Sequence, residues 1–229
     1  MVGAAGFEPT LTESESGVLP LNYAPMRRVL YNAFCGFAIK IYDLLEKGPF
    51  CDIIAIMTVP ITDIIKFHIA RTNCHIDCLN YFAGLFGMAF PDHDMDKFTE
   101  PYQTGYAYHN YAAHHGGCTI LPQQTELYTA VHDEHHRMQP HHVGYWENIQ
   151  NIPDIVLTEM VCDWHSANFE QRDVLRRPDC CTIAEFFHDV MLPRGFSPHQ
   201  VEFLSAAIDK IARTADYDAV RDIWARLEK

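Results

Sequence analysis

The chain has 229 residues, of which 48% are hydrophobic and 21% are charged, a composition typical of a globular protein. Its formal net charge is −13, which argues against binding to the phosphate backbone of a nucleic acid, because such proteins need a basic surface. A small anionic substrate stays compatible with this charge, since a bound metal ion reverses the local field. The length fits one domain with a substantial core.

The first 25 residues, MVGAAGFEPTLTESESGVLPLNYAP, differ from the rest of the chain. They are rich in Gly, Ser, Thr, Pro and Glu and have no periodicity, which predicts a disordered leader. They also resemble the translation of a transfer-RNA gene upstream of a start codon, which would put the native start at Met26. The chain holds no run of about 18 uninterrupted apolar residues, and its eight cysteines form no regular framework. We therefore expect a cytoplasmic protein with reduced thiols and no membrane span.

From residue 26 onward, apolar residues recur at the three- and four-residue spacing of amphipathic helices, and strand-like alternation is scarce. The predicted helical segments are 27–48, 61–87, 121–138, 152–177, 182–192, 197–213 and 216–228. The aromatic-rich stretches NYFAGLFGMAF and YQTGYAYHNY are expected to serve in core and loop packing. The predicted fold is one all-α domain over residues 26–229.

The segment PDHDMDKF, residues 91–98, contains an adjacent histidine and aspartate, His93 and Asp94, followed by Lys97. Such a pair can give a metal ion one imidazole nitrogen and one carboxylate oxygen. The same dipeptide recurs at residues 188–189, where a solvated helix face is the expected setting.

Two predicted helices carry further ligand types. His68 precedes His93 by 25 residues, which fits the preceding helix of an antiparallel pair, although a core histidine is the alternative. His75 is seven residues further on, on roughly the same face, and is a rival for the role. Glu159 and Asp163 are four residues apart on a largely apolar helix, where buried carboxylates need cations, donors or a metal. The alternative for this pair is a solvated acidic edge.

The segment HDEHHRMQPHHVGYW, residues 132–146, contains five histidines. Five imidazoles cannot all ligate one ion, but a two-metal site would use two or three of them. The alternative is a surface patch that titrates near neutral pH.

The order of these residues resembles the HD-domain superfamily of metal-dependent phosphohydrolases, whose ligands follow the pattern H…HD…D. Residues from about 64 to 170 resemble more closely the DUF5662 family, with the pattern H…HD-x-x-KF…H-x-x-x-N-x-HH-x-x-YW…E-x-x-x-DW. The matching residues are His68, His93, Asp94, Lys97, Phe98, His135, His141, His142, Tyr145, Trp146, Glu159, Asp163 and Trp164. Gln139 stands in place of the family's asparagine, and His132 and His136 have no assigned task.

The resemblance implies an all-α fold with one or two divalent ions of Mn, Fe, Co, Ni or Zn. It implies a first site of His68, His93, Asp94 and Asp163. His135 with His141 or His142 would complete a second site. We expect a hydrolase acting on a small phosphoester or nucleotide, with Lys97 on a substrate phosphate and Glu159 orienting a ligand or relaying a proton.

Two alternatives stay open from the sequence. Some members of the HD superfamily are di-iron oxygenases, and their ligand types overlap with those of the hydrolases. A non-catalytic helical protein with a structural metal is the other. A zinc site would then use Cys74, Cys78, Cys118 and one of His114 or His115.

Overall fold

A computed structural model describes residues 59–115 and 120–228. The leader, the predicted helix 27–48 and Cys118 lie outside these residues. The described part of the chain is helical throughout its regular structure, with no strand, so the all-α prediction is confirmed. None of the described helices is both long and apolar enough to cross a membrane.

The described residues form α1 (Ile61–Gly84), α2 (Tyr102–His115), α3 (Pro122–Met138), α4 (Asp154–Phe169), α5 (Ile183–Phe186), α6 (Pro198–Thr214) and α7 (Tyr217–Trp224). Single 3₁₀ turns lie at Met95–Phe98, Val143–Tyr145, Ile149–Asn151, Leu192–Arg194 and Ala225–Glu228. Wider π-helical turns extend α4 over Glu170–Val174 and α5 over Phe187–Met191. Most of these helices lie within the segments that apolar spacing predicts.

Helix α2 differs from the expectation for its segment, which was core and loop packing. Residues 102–115 instead form a continuous helix. Its inward positions are filled by small or polar-tipped residues such as Gly105, Tyr106 and Ala107. Because aliphatic residues are rare there, the helical period is not visible in the sequence.

Helix α1 is the centre of the packing and contacts α2, α4 and α7, while α3 packs on α2 and α6 packs on α4. Leu79 and Phe82 of α1 are fully buried, as are Leu157 and Met160 of α4. Burying each such side chain contributes roughly 2 kcal/mol to stability. The polar residues of the site lie on these same buried helix faces.

Helices α2 and α3 approach each other closely at Gly105. A Cβ atom at this position would lie 2.4 Å from Cγ2 of Val131, which is closer than van der Waals contact permits. A larger residue at position 105 would therefore require the Val131 side chain, or α3 that carries it, to shift.

Candidate metal centre

Histidines and carboxylates from four parts of the chain, all of them buried except the partly exposed Glu159, converge at one point. Helix α1 contributes one histidine, the turn after residue 92 contributes a histidine and an aspartate, the end of α3 and the following loop contribute three histidines, and α4 contributes two carboxylates. These residues are His75, His93, Asp94, His135, His141, His142, Glu159 and Asp163.

Asp94 lies between two groups of histidines, and each of its oxygens faces a different group. Its Oδ2 atom is 3.7 Å from His75 Nε2 and 3.6 Å from His93 Nε2. Its Oδ1 atom is 3.3 Å from His135 Nε2 and 3.7 Å from His141 Nε2. A carboxylate in this position can bridge two ligand sets.

The backbone of Asp94 adopts the left-handed region, with φ 59° and ψ 17°. This conformation is uncommon for residues other than glycine, although aspartate tolerates it better than most, and strain of about 1 kcal/mol is typical. The amide of Lys97 donates to the carbonyl of Asp94 at 3.0 Å and closes the turn. The turn therefore holds the buried carboxylate at a fixed place between the helices.

Asp163 on α4 faces the same side of Asp94 as His75 and His93. Its Oδ1 atom is 2.9 Å from His75 Nε2 and 3.6 Å from His93 Nε2. Burial by itself would raise the pKa of the Asp163 carboxyl, but the two histidines outweigh burial and hold that pKa well below its usual range. Asp163 is therefore an ionised buried carboxylate.

Two histidines of the centre are oriented by carboxylates on their outer nitrogens. His93 Nδ1 donates to Glu159 Oε1 at 2.9 Å, and His135 Nδ1 donates to Asp96 Oδ2 at 2.7 Å. Such contacts keep a proton on Nδ1, so that Nε2 is the nitrogen that would meet a metal ion, as in many metal-binding histidines. Both Nε2 atoms point toward Asp94.

His75 and His141 have similar outer contacts. Nδ1 of His75 is 3.0 Å from Ser166 Oγ, and the Ser166 hydroxyl is also 3.0 Å from the carbonyl of His75. Nε2 of His75 is 2.9 Å from the ionised Asp163 carboxylate, so without a metal ion the ring proton lies on Nε2 and donates to Asp163, and a metal ion at this nitrogen would have to displace that proton. Nδ1 of His141 lies 3.5 Å from Glu159 Oε1. Glu159 therefore contacts both His93 and His141.

The donor atoms fit a metal ion. Several of these buried atoms have no hydrogen-bond partner among the described residues, namely His93 Nε2, Asp94 Oδ1, His135 Nε2, His141 Nε2 and Asp163 Oδ2. An unpaired buried polar atom costs about 1–3 kcal/mol, and a shared cation would satisfy the whole set. Burial alone would lower the pKa of the His93 imidazole, but Asp94, Asp163 and Glu159 raise it to about 10. The pocket thus attracts positive charge.

Four overlapping ligand sets are compact, with one donor atom per residue within 4.8 Å of the others. Two of them share no residue, namely His75, His93 and Asp94, and His135, His141 and His142. The other two connect these and consist of His93, His141 and Glu159, and of Asp94, Asp96 and His135. Asp94 faces the two sets that share no residue through its separate oxygens. The buried groups are therefore positioned to hold a metal ion.

His68 is buried near this centre but belongs to none of these sets. Its Nε2 donates to the carbonyl of Lys97 at 2.9 Å, and its Nδ1 accepts from Asn110 Nδ2 at 2.8 Å. Burial lowers the pKa of His68 to about 4, so the ring is neutral. Both ring nitrogens are already engaged, and the structure brings the rival candidate, His75, to Asp94 instead.

Lys97 is buried beside the centre. Its Nζ lies 2.8 Å from Asp94 Oδ2 and 4.8 Å from the ring centroid of Tyr106. Burial raises the pKa of the Asp94 carboxyl, but the charges of Lys97 and His93 overcome this and hold that pKa well below its usual range. Lys97 therefore provides the nearest fixed positive charge to Asp94.

The histidine-rich segment is not a surface patch. His132 and His136 are buried on α3, and their ring centroids are 4.1 Å apart. Burial lowers the pKa of His132 to about 4 and that of His136 to about 2, so both imidazoles are neutral. By contrast, His188 and Asp189 are exposed, as expected for a solvated helix face.

The cysteine-based alternative finds no support in the described residues. Cys74 is buried and its thiol donates to the carbonyl of Ile223 at 3.4 Å, and Cys78 is fully buried. His114 Nε2 donates to Glu170 Oε1 at 2.8 Å. Within residues 59–115 and 120–228, no set of three closely placed metal donors includes a cysteine.

Sequence reasoning missed the residues that contact the buried histidines. Asp96, Ser166 and Asn110 contact His135, His75 and His68, respectively. Asp96 is the only one of the three with a sequence signal, because it follows Asp94 by two residues in HDMDK. Asn110 and Ser166 are single polar residues in helices, and their contacts depend on tertiary packing.

The fold and site define an all-α protein with a buried cluster of histidines and carboxylates that is positioned to hold a metal ion. Residues 63–210 match the family of unknown function DUF5662, and the chain belongs to that family. No curated protein and no solved structure matches the chain.

Proposed function

We propose that this protein is a metal-dependent hydrolase that acts on a phosphoester or nucleotide at a centre for two divalent ions. The observation that carries the proposal is the position of Asp94, whose two oxygens face different sets of histidines. Two-ion centres with bridging carboxylates suit displacement at phosphorus, because both the attacking and the leaving oxygen need charge stabilisation.

The proposed ligands differ in one residue from those expected from the sequence, since His75 takes the place of His68. The first ion would be held by His75, His93, Asp94 and Asp163, and the second by His135, His141, His142 and the other oxygen of Asp94. Imidazole and carboxylate donors together suit Mn, Fe, Co, Ni or Zn. This order of ligands supports the resemblance to the HD superfamily.

Bound divalent ions would supply a water molecule that ionises near neutral pH and would stabilise negative charge at phosphorus. The chain's own residues then have distinct tasks. Glu159 orients His93 and His141, and its side chain keeps 17% exposure, so it can exchange protons with solvent. Lys97, whose Nζ is 2.8 Å from Asp94 Oδ2, would contact a substrate phosphate oxygen with its ammonium group.

Phosphatase assays of the full chain test this proposal. Purified protein is loaded with Mn²⁺, Co²⁺ or Zn²⁺ and assayed with p-nitrophenyl phosphate, its bis-ester and a mixture of nucleoside monophosphates. We expect metal-dependent turnover that is lost in Asp94→Asn and Asp163→Asn and kept in His188→Gln, which changes an exposed histidine.

Equal turnover in Asp94→Asn and the unmodified chain would overturn the proposal. Anaerobic loading with iron provides the second arm of the test. Oxygen consumption by the iron-loaded chain, together with no phosphatase turnover for any metal, would favour the di-iron oxygenase.

A further inference from the structure

His132 and His136 form a pair on α3 that the proposed centre does not use. They are four residues apart, so they are neighbours on one face of the helix, and their ring centroids are 4.1 Å apart. The ring of His136 also stacks on His142, with 4.0 Å between centroids. The pair is therefore next to the centre but outside its compact ligand sets.

Both imidazoles have a buried nitrogen that lacks a partner. His132 is 8% exposed and His136 is 9% exposed, and neither Nε2 atom has a hydrogen-bond partner among the described residues. Leaving such an atom unpaired costs about 1–3 kcal/mol. A ligand that accepts both lone pairs would remove this cost.

The outer nitrogen of His132 has a carboxylate nearby. Its Nδ1 atom is 3.5 Å from Oδ1 of the partly exposed Asp133, a longer contact than the 2.9 Å hydrogen bond between His93 and Glu159. This contact favours the tautomer with the proton on Nδ1 and the lone pair on Nε2. The Asp133 carboxylate also places a negative charge near the pair, which offsets part of the charge of a cation.

We propose that His132 and His136 form an auxiliary site for a divalent transition-metal ion, separate from the two-ion centre. Two histidines at this spacing on a helix bind zinc in the H-E-x-x-H motif, because one turn of helix brings both rings to the same ion. Imidazole nitrogens select Zn²⁺, Ni²⁺ or Cu²⁺ over Mg²⁺ or Ca²⁺, which prefer oxygen ligands. With two protein nitrogens, the site binds more weakly than the centre.

Zinc titration followed by equilibrium dialysis tests the site on the full chain. In the unmodified protein we expect one class of tightly bound ions and one additional ion that is bound more weakly. The double variant His132→Gln/His136→Gln should lose the weaker ion and keep the tight class. His188→Gln serves as the matched control, because it removes an exposed histidine, and should bind as the unmodified chain does.

An unchanged weak class in the double variant would overturn the proposal, since the weak ion would then be adventitious. The Asp94→Asn variant distinguishes loss of the auxiliary site from loss of the two-ion centre. That variant should reduce the tight class and keep the weak ion, even if the centre proves to have no hydrolase activity.

A measurement on the unmodified chain covers the case in which the double variant fails to fold. Isotope-labelled histidine side chains can be followed by NMR during the zinc titration. We expect the Nε2 signals of His132 and His136 to shift during the weak phase. Shifts confined to the exposed His188 and His199 would contradict the proposal and indicate surface binding only.

Discussion

His75 Nε2 lies 2.9 Å from Asp163 Oδ1, so a histidine of α1 meets a carboxylate of α4 in the interior of the protein. His68 is on the same helix seven residues earlier, but its nitrogens contact Lys97 and Asn110. Seven residues are almost two turns of an α-helix, so both histidines face the same side. Their different positions along the axis of α1 decide which of the two histidines reaches Asp94 and Asp163.

This difference in contacts predicts opposite effects on metal binding when the two histidines are substituted. His75→Gln should lose the first ion, because it removes a donor next to Asp94 and Asp163. His68→Gln should keep the ion, since Gln can still donate to the carbonyl of Lys97. Elemental analysis after gel filtration measures the bound metal, and circular dichroism checks that each variant folds. Metal loss in His68→Gln with retention in His75→Gln would restore the assignment expected from the sequence.

Glu159 should control metal affinity without being a ligand in its own right. Its Oε1 atom is 2.9 Å from His93 Nδ1 and 3.5 Å from His141 Nδ1. Loss of an orienting carboxylate typically weakens metal binding by about 10- to 100-fold, and we expect Glu159→Gln to do so. Calorimetric titration with Zn²⁺ measures the change, with the surface variant Glu202→Gln as control. Unchanged affinity in Glu159→Gln would remove the residue from the site.

Removal of Lys97 should have opposite effects on metal binding and on the stability of the metal-free protein. Its ammonium is 2.8 Å from Asp94 Oδ2, so it repels a cation at that oxygen and stabilises the carboxylate when no cation is bound. We expect Lys97→Met to bind the first ion about tenfold more tightly, from the loss of charge repulsion. The metal-free variant should melt at a lower temperature. Equal or weaker metal binding would contradict this electrostatic role.

Glu170, which lies outside the metal centre, should make the free energy of unfolding depend on pH in the acid range. Its buried carboxylate accepts from Arg71 Nε at 2.8 Å and from His114 Nε2 at 2.8 Å. Burial raises the pKa of Glu170, but Arg71 and His114 outweigh it and hold that pKa below its usual range. The stabilisation is therefore fully present above about pH 5 and is lost as the pH falls below the ordinary glutamate pKa of about 4.3.

Glu170→Gln should lower the free energy of unfolding by about 3 kcal/mol at neutral pH, because Arg71 is left buried without its partner charge. The difference in free energy of unfolding between the variant and the unmodified chain should shrink as the pH falls from 5 toward 3. Urea unfolding across this pH range measures that difference, and Glu126→Gln, which changes an exposed residue, is the control. A difference that does not change with pH would argue against the ion pair as its cause.

Much of the fold could be predicted because apolar residues recur at helical spacing in α1 and α6 and form a long apolar run in α4. Helix α2 could not, since Tyr106 and its neighbours are aromatic, small or polar. The order of ligand types along the chain is enough to single out Asp94 and Asp163 as candidate ligands. The choice between His68 and His75 could not be made in this way, because they share a helix face and the packing of α1 on α4 decides it.

The ratio of tightly bound metal to protein shows whether the chain holds a two-ion centre. The full chain is saturated with Zn²⁺, passed through gel filtration to remove weakly held ions, and analysed for zinc and protein. We expect a ratio of about two for the unmodified chain and of one or less for Asp94→Asn, which loses the bridging carboxylate. A ratio near zero in the unmodified chain, or an unchanged ratio in a folded Asp94→Asn variant, would rule out the proposed two-ion centre.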